Sequence, residues 1–270
     1  MPAEGYISNY LTHFVGKGKA LEEQFELLKK ILRRRWLTHR PHIEQPTLDL
    51  EVREGAKFSN NDMLLPGMIC FCDIPEEHLR IHTAKYSQFG IAFPKAYLVG
   101  KGANPVFYVA RNSTVPRRKK ELRTGRVQKS TVTPEEYATL RNQPVELAEY
   151  EEESRGSLLD ENIKELFDLW YEKEKFETGE AGTVIEEILI RDKLMWMFFL
   201  QHVLGLVKCF DDTLELDHKD NFYMEREWRR FGNLNFNSDD VAVVYVPPNM
   251  QEQAMAELPE YATKVKPLPA

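Results

Sequence analysis

Short apolar runs bounded by turn residues recur in the first half of the sequence and limit the folds that the chain can adopt. Three of them read GMICFCDIP, FGIAF and NPVFYVA, and they begin at Gly67, Phe89 and Asn104. Their composition is typical of β-strands. Helical blocks interrupt the strand candidates, but without the strict alternation of strand and helix that a doubly wound fold requires. The pattern therefore predicts an α+β fold in which the three runs are neighbours in one sheet.

Hydrophobic periodicity predicts most of the remaining elements. The stretch YISNYLTHFV predicts a first strand that ends near Val15 and carries His13. Four apolar residues at helical spacing predict a helix of about four turns: Leu21, Phe25, Leu28 and Leu32. A second stripe from Ile163 to Tyr171 predicts another helix, and a further helical block spans about 183–206. Strand composition then returns in NFYMEREWRRFG and VAVVYVPP.

Charge is distributed unevenly along the chain, although the net charge of −7 is ordinary for a globular protein. RNSTVPRRKKELRTGRVQKS has eight Lys or Arg and one Glu, whereas VELAEYEEESRGSLLDE has seven acidic residues and one Arg. These runs form solvated surface, pair with each other, or leave a basic footprint for a polyanion, to which LLKKILRRRW would add. Because apolar content falls between about 111 and 160, we expect a charged excursion there from a single domain of residues 1–270.

The sequence predicts a protein of a reducing, cytoplasmic compartment. Its three cysteines are too few for a disulfide framework, and MPAEGYISNY lacks the basic and apolar regions of a signal peptide. The most apolar segment, LMWMFFLQHVLGLVKCF, contains Gln201, His202 and Lys208 and is shorter than the ~20 residues that cross a bilayer. We therefore expect this segment to be a core element and not a membrane span.

Four potential metal ligands cluster in CFCDIPEEHLRIH, which contains Cys70, Cys72, His78 and His82. The two thiols at i and i+2 would share one face of a strand, and the two histidines at i and i+4 one face of a helix. However, the spacing differs from that of zinc fingers and ribbons, so buried thiols followed by a polar helix start are the favoured interpretation, with no metal. Neither a phosphate-binding glycine loop nor a G-x-S-x-G nucleophile motif is present.

Two carboxylates two residues apart mark the stretch YMEREWRRFG. On a strand, Glu225 and Glu227 would project from the same face, with Arg226 and Trp228 on the other. Like charges at that separation raise at least one pKa unless a cation or solvent lies between them, and active sites use this effect. The residues alone leave two interpretations open: an exposed or helical salt-bridge segment, or the acidic part of an active site.

Several stretches together resemble a known family. YISNYLTHFV, LLKKIL and MICFCDIPEEHLRIHTAKYSQFGIAFPKAYLVGKGANPVFYV resemble the AbiGi family of abortive phage-infection proteins, usually described as antitoxins, over roughly the first 110 residues. The motif order is a histidine on the first strand, a helix ending in IL, a middle strand with an aromatic residue, and a late Glu-x-Glu strand. This order is similar to that of the ADP-ribosyltransferases, including DarT-like nucleic-acid modifiers. The resemblance implies an ADP-ribosyltransferase-like split β-sheet core with helical insertions.

The resemblance also implies roles for individual residues. Glu227 would bind the nicotinamide-ribose hydroxyl of NAD, the substrate, and stabilise the oxocarbenium-like centre as nicotinamide leaves, while Glu225 would orient the acceptor. His13 would hold NAD by hydrogen bonds and Tyr86 would stack on nicotinamide, with Phe58-Ser59 as an alternative middle motif that makes Ser59 a candidate. The chain departs from the arginine-first subclass, since it has no Arg at the first-strand position and no clear Ser-Thr-Ser strand.

These implications lead to two expectations for function. The first is an anti-phage or toxin-antitoxin enzyme that transfers ADP-ribose from NAD to a macromolecule, with RNA or DNA favoured as acceptor by the basic runs at 33–35 and 117–120. The second is a non-enzymatic antitoxin whose charged runs bind a cognate toxin or operator DNA.

Overall fold

A computed structural model of the protein describes residues 8–39, 50–53, 55–83, 85–118, 150–176, 196, 198–215, 218, 221 and 223–269. These residues form a mixed fold of helices and strands around a seven-stranded sheet. The strands are β1 (Tyr10–Phe14), β2 (Trp36–Leu37), β3 (Leu50–Val52), β4 (Leu64–Pro66), β5 (Met68–Cys72), β6 (Gly90–Pro94), β7 (Asn104–Pro105), β8 (Phe107–Ala110), β9 (Thr114–Arg118), β10 (Tyr150–Ser154), β11 (Val207–Phe210), β12 (Glu227–Phe231), β13 (Leu234–Asn235), β14 (Val243–Val246) and β15 (Val265–Pro267). The helices are α1 (Leu21–Arg34), α2 (Arg80–Thr83), α3 (Lys95–Gly100), α4 (Arg155–Phe176) and α5 (Gln251–Glu257).

The main sheet has the order β15-β14-β6-β1-β5-β12-β7. All of its neighbouring strands are antiparallel except β14 and β15, which are parallel. Cys72 on β5 lies opposite Thr12 on one side and Glu227 on the other. Because neighbouring strands are about 4.8 Å apart, β1 and β12 lie only about 10 Å from each other across β5. The strand that carries His13 and the strand that begins with Glu227 thus lie on either side of β5.

Helix α1 covers one face of this sheet, as its periodicity predicts. Its 14 residues form about four turns, and Phe25, Leu28 and Leu32 are buried in a cluster with Leu11 of β1. At the N-terminus the Ala20 amide donates to Glu23 Oε2 at 3.2 Å, which satisfies a backbone group that the helix leaves without a partner. The helix therefore packs against β1, the strand that carries His13.

The predicted strand NPVFYVA is two strands in the structure. Pro105 lies opposite Trp228 at the end of β7, and the chain then leaves the main sheet, so that β8 pairs in parallel with β11. Pro105 has no amide hydrogen to donate, and the Val106 amide makes a last bond to the Glu227 carbonyl at 3.1 Å before the chain turns away. The three predicted runs do contribute to one sheet, but they are not adjacent to one another. β1 separates β5 from β6, and β12 separates β5 from β7.

The charged excursion begins and ends in an antiparallel pair. Strands β9 and β10 pair so that Arg117 lies opposite Glu151, which brings the first part of the basic run next to the middle of the acidic run. Most of the remaining excursion, residues 119–149, lies outside the described residues. The chain then enters α4, whose Ile163 is buried with Phe58 and Leu200 in a second cluster.

The segment LMWMFFLQHVLGLVKCF contributes to the protein interior where it is described. Residues 198–202 are helical, and Leu200, Leu206 and Cys209 are buried. Residues 183–195 of the predicted helical block lie outside the described residues. Among the helices that the structure describes, none is both long enough and apolar enough to cross a membrane.

Candidate functional site

A cavity of about 490 Å³ opens where β1, β5 and β12 lie side by side. Cavities of this size accommodate small molecules and cofactors. Four of the five residues singled out from the sequence line it: His13, Tyr86, Glu225 and Glu227. Lys208 of β11 and Arg229 of β12 line the same cavity. The structure therefore joins residues that are more than 200 positions apart in the sequence.

Glu227 is the first residue of β12, and its side chain is held by two cations. Arg229 Nε donates to Glu227 Oε1 at 2.7 Å, and Lys208 Nζ donates to Oε2. Glu227 and Arg229 share a face because side chains alternate along a strand. The Glu227 amide donates to the Tyr108 hydroxyl at 2.7 Å. With 6% of its surface exposed, Glu227 is a fixed, buried carboxylate.

Glu225 does not lie on the same strand as Glu227, contrary to the sequence prediction. It ends a short 3₁₀ helix, Tyr223–Glu225, and Arg226 then takes a left-handed conformation with φ of 44° before β12 begins. This turn breaks the extended backbone that strand alternation requires. The two carboxylates nevertheless converge, because Lys208 Nζ donates to Glu225 Oε2 at 2.5 Å as well as to Glu227.

Two further groups hold the other oxygen of Glu225. Lys85 Nζ donates to Glu225 Oε1 at 2.6 Å, and the Tyr86 hydroxyl donates to the same oxygen. Glu225 and Glu227 are 4% and 6% exposed, so the two carboxylates do not lie in an exposed salt-bridge segment, although Tyr223–Glu225 is helical. The stretch is instead the acidic half of a buried charge network whose cations come mainly from elsewhere in the chain.

The cations decide the ionisation of both carboxylates. Burial by itself would raise the pKa of Glu227, but Arg229 and Lys208 outweigh it and lower the pKa to about 2. Burial opposes the same effect at Glu225, where Lys208, Lys85 and Tyr86 lower the pKa below its ordinary value. Burial would also lower the pKa of Lys208, yet the two carboxylates raise it. All three groups are therefore charged near neutral pH.

His13 is placed as a neutral acceptor on the opposite side of β5. Its Nδ1 lies 2.8 Å from the carbonyl oxygen of Cys70, and because a carbonyl only accepts, Nδ1 carries the proton. Burial lowers the pKa of His13, partly offset by that hydrogen bond. The neutral ring then has an unprotonated Nε2 with which to accept a hydrogen bond.

Ser59 lies apart from the other candidates. Its amide and hydroxyl donate to the two carboxylate oxygens of Asp160, at 2.8 and 2.7 Å. It lines a neighbouring cavity of about 470 Å³, and Asn60 lines both cavities. Tyr86, the other candidate for the middle motif, is the one that the structure brings to Glu225.

The Cys70, Cys72, His78 and His82 cluster does not converge as a ligand set. Both thiols line the main cavity, but burial raises the pKa of Cys72 to about 12 and raises that of Cys70 too, so both are protonated thiols. His78 is exposed at the end of a 3₁₀ helix, whereas His82 is buried in α2. Within the described ranges, no group of three or more His, Cys, Asp or Glu side chains could hold a metal ion.

Sequence analysis missed three members of the site: Lys208, Arg229 and Tyr108. Lys208 interrupts an apolar run in the sequence. A lysine among residues that are buried in the core requires a charged partner, and this is the signal that could have identified it. Arg229 follows Glu227 by two residues, which is a signal for a same-face pair on a strand. No local pattern indicates that Tyr108 accepts from the Glu227 amide, because that contact depends on how β7 and β12 pair.

Comparison with known proteins identifies one family. A family model described as "Putative abortive phage resistance protein AbiGi, antitoxin" matches residues 61–259. This range contains Tyr86, Glu225 and Glu227 but not His13, so it extends well past the first 110 residues in which the motifs resemble the family. We found no match among curated proteins and none among solved structures. Since the match covers more than half of the chain, this protein belongs to the AbiGi family of abortive phage resistance proteins.

Proposed function

We propose that this AbiGi protein acts in anti-phage defence by transferring ADP-ribose from NAD to a macromolecule. The observation that carries the proposal is that His13, Tyr86, Glu225 and Glu227 line one cavity, on or beside three adjacent strands. The resemblance to ADP-ribosyltransferases supports the proposal, because it implies a histidine on the first strand and a glutamate on a late strand, and β1 and β12 lie on either side of β5.

The transfer breaks the bond between the nicotinamide nitrogen and ribose C1′, and nicotinamide leaves with the bonding electron pair. A nucleophilic atom of the acceptor forms the new bond to C1′ and releases its proton to water. Positive charge builds on the ribose as the first bond breaks, so a fixed carboxylate beside it lowers the barrier. Glu227 suits this role because a carboxyl with a pKa of about 2 is ionised throughout the physiological range.

The hydrogen-bonding capacity of Glu227 is also sufficient. Arg229 occupies one site on Oε1 and Lys208 one site on Oε2. The Cys70 thiol also hydrogen-bonds this carboxylate. The two oxygens together accept about four hydrogen bonds, so capacity for one ribose hydroxyl remains. A low pKa makes Glu227 a poor proton acceptor, and we therefore assign it electrostatic stabilisation and positioning, not general base catalysis.

Labelled NAD incubated with the purified chain and with RNA, DNA or protein acceptors tests this proposal directly. We expect label to transfer to one acceptor class and Glu227→Gln to reduce transfer by about 100-fold or more, the usual loss when a transition-state contact is removed. Glu252→Gln, which changes an exposed glutamate of α5, is the matched control and should retain full activity. Thermal melting of each variant separates loss of chemistry from loss of folding. Undiminished transfer by Glu227→Gln would refute the assignment.

A second candidate function follows from the family description, which ends in the word antitoxin. In this alternative the protein neutralises a cognate toxin by binding it, and no chemistry occurs. Growth rescue in cells that express the toxin distinguishes the two functions. A binding antitoxin should still rescue growth after Glu227→Gln, and NAD should not change its melting temperature.

A further inference from the structure

His82 presents a hydrogen-bonding atom that has no partner within the described part of the chain. The side chain is 4% exposed, lies in α2 and lines the main cavity. Its Nδ1 is buried and forms no hydrogen bond with any described residue. Native proteins leave few buried polar atoms unsatisfied, and such an atom in a cavity wall points to a ligand.

The chemistry of that atom follows from the other ring nitrogen. The His82 ring forms a hydrogen bond with the backbone of Met224 that raises its pKa, as donation to a carbonyl oxygen does. Because Nδ1 has no partner among the described residues, the donor in this bond is Nε2. In the neutral ring Nδ1 is then an unprotonated acceptor.

Burial keeps the ring neutral. It lowers the pKa of His82 to about 4, a shift that Glu225 opposes and Lys85 reinforces. At neutral pH Nδ1 of this cavity-lining residue therefore carries a lone pair that accepts from an N–H or O–H donor and repels an anion.

The His82 ring is one of three nearly parallel rings. The planes of Phe14, His82 and Tyr86 lie within 16° of one another, and their centroids are 6.1 to 6.5 Å apart in every pairing. In a single column the outer two rings would be twice as far apart as neighbours, so the three rings lie side by side. All three line the cavity, and a planar ligand ring can lie parallel to them.

The rings adjoin the proposed catalytic carboxylates. Tyr86 donates to Glu225, and Met224, which receives the His82 bond, is the residue before Glu225. A planar group held against Phe14, His82 and Tyr86 therefore lies beside the charge network that contains Glu227.

We infer that His82 Nδ1 selects a planar heteroaromatic amide by accepting a hydrogen bond from its carboxamide N–H, as free nicotinamide or as the nicotinamide end of NAD. Placing NAD here rests on the proposed function, whereas recognition of the amide does not. His82 would thereby give the cavity a specificity that the carboxylates do not supply: a ligand with an amide binds, and a ligand of the same shape with a carboxylate does not.

Binding of nicotinamide and nicotinic acid, measured by calorimetry and thermal shift at pH 7.5, tests this inference without reference to turnover. We expect wild type to bind nicotinamide at least about tenfold more tightly, because nicotinic acid has no N–H to donate and brings a negative charge to the lone pair. His82→Phe keeps a ring but removes the acceptor, and should reduce the preference to about twofold or less. His82→Asn supplies an acceptor near the same position and should restore part of it, while exposed His78→Gln should behave as wild type.

Turnover assays separate this inference from the proposed function. Equal use of NAD and of its nicotinic acid analogue would overturn the role of His82 but leave ADP-ribosyl transfer standing. Selective nicotinamide binding without NAD turnover would support the role of His82 and count against the enzyme. Failure of wild type to bind nicotinamide, or a preference that His82→Phe and His82→Asn both retain in full, would overturn the inference.

Discussion

Lys208 donates hydrogen bonds from one ammonium group to both Glu227 and Glu225, although it precedes Glu227 by 19 positions in the sequence. The three side chains are at most 11% exposed, so little water screens them. The shared cation stabilises two buried carboxylates that lie close together, because each would otherwise raise the pKa of the other.

Replacing Lys208 with Met should destabilise the fold strongly. Breaking a buried ion pair by removing one partner typically costs about 3–5 kcal/mol, since a buried charge remains uncompensated. Urea denaturation at pH 7 measures this change. The control is Lys266→Met, which removes an exposed lysine 3.3 Å from Glu76; exposed pairs contribute about 1 kcal/mol or less. A Lys208→Met protein no less stable than the control would contradict the shared-cation description.

Acid should lower the free energy of unfolding by protonating Glu227. Its pKa in the fold, about 2, lies below the ordinary value of 4.5, so the folded state prefers the ionised form. The resulting stabilisation is fully present above pH 4.5 and is lost as the pH falls toward 2, a contribution on the order of 3 kcal/mol. Unfolding free energies of wild type and Glu227→Gln, measured between pH 5 and 2, should converge as the pH falls. Parallel curves would show that Glu227 titrates normally.

His82 should affect the free energy of unfolding in a higher pH range than Glu227 does. Its pKa falls from 6.5 to about 4 on folding, mainly through burial, while Glu225 opposes and Lys85 reinforces the shift. The stabilisation is therefore complete above pH 6.5 and declines by roughly 3 kcal/mol as the pH falls toward 4. NMR titration of the imidazole gives its pKa directly. In His82→Phe, stability should vary less between pH 6.5 and 4.5 than in wild type, and an unchanged slope would place the effect on another group.

The prediction for Tyr108 concerns a backbone group. Replacing Tyr108 with Phe removes the oxygen that accepts from the Glu227 amide at 2.7 Å. A buried N–H left without a partner costs about 1–3 kcal/mol. Tyr223→Phe is a suitable control because Tyr223 packs against Tyr108 but is 49% exposed. Equal stabilities of the two variants would indicate that another group satisfies the amide.

Local patterns in the sequence predict several elements well. The apolar spacing of α1, the turn residues around β5 and β6, and the prolines after β14 each report on neighbouring residues, and the structure has these elements where they are predicted. The pairing of strands is different, because it depends on contacts between distant segments. Nothing near Pro105 in the sequence indicates that β12 will lie beside it.

The candidate site follows the same division. His13, Tyr86, Glu225 and Glu227 were singled out by their order and type, and the structure brings them to one cavity. Strand alternation misplaced Glu225, because a left-handed residue after it has no clear signature when that residue is an arginine. The cations that pair with the two glutamates could not be predicted, because a charge network assembled from three segments of the chain produces no periodic pattern in the sequence.

The outer strands of the main sheet restrict how a partner protein can attach. β7 has two residues and β15 has three, and each ends in a proline, Pro105 and Pro267. Proline donates no hydrogen bond to a neighbouring strand, and so short an edge provides few groups to pair with. Within the described residues, the two edges of this sheet therefore provide little template for β-augmentation by a partner protein, and side chains on other surfaces are better suited to recognition.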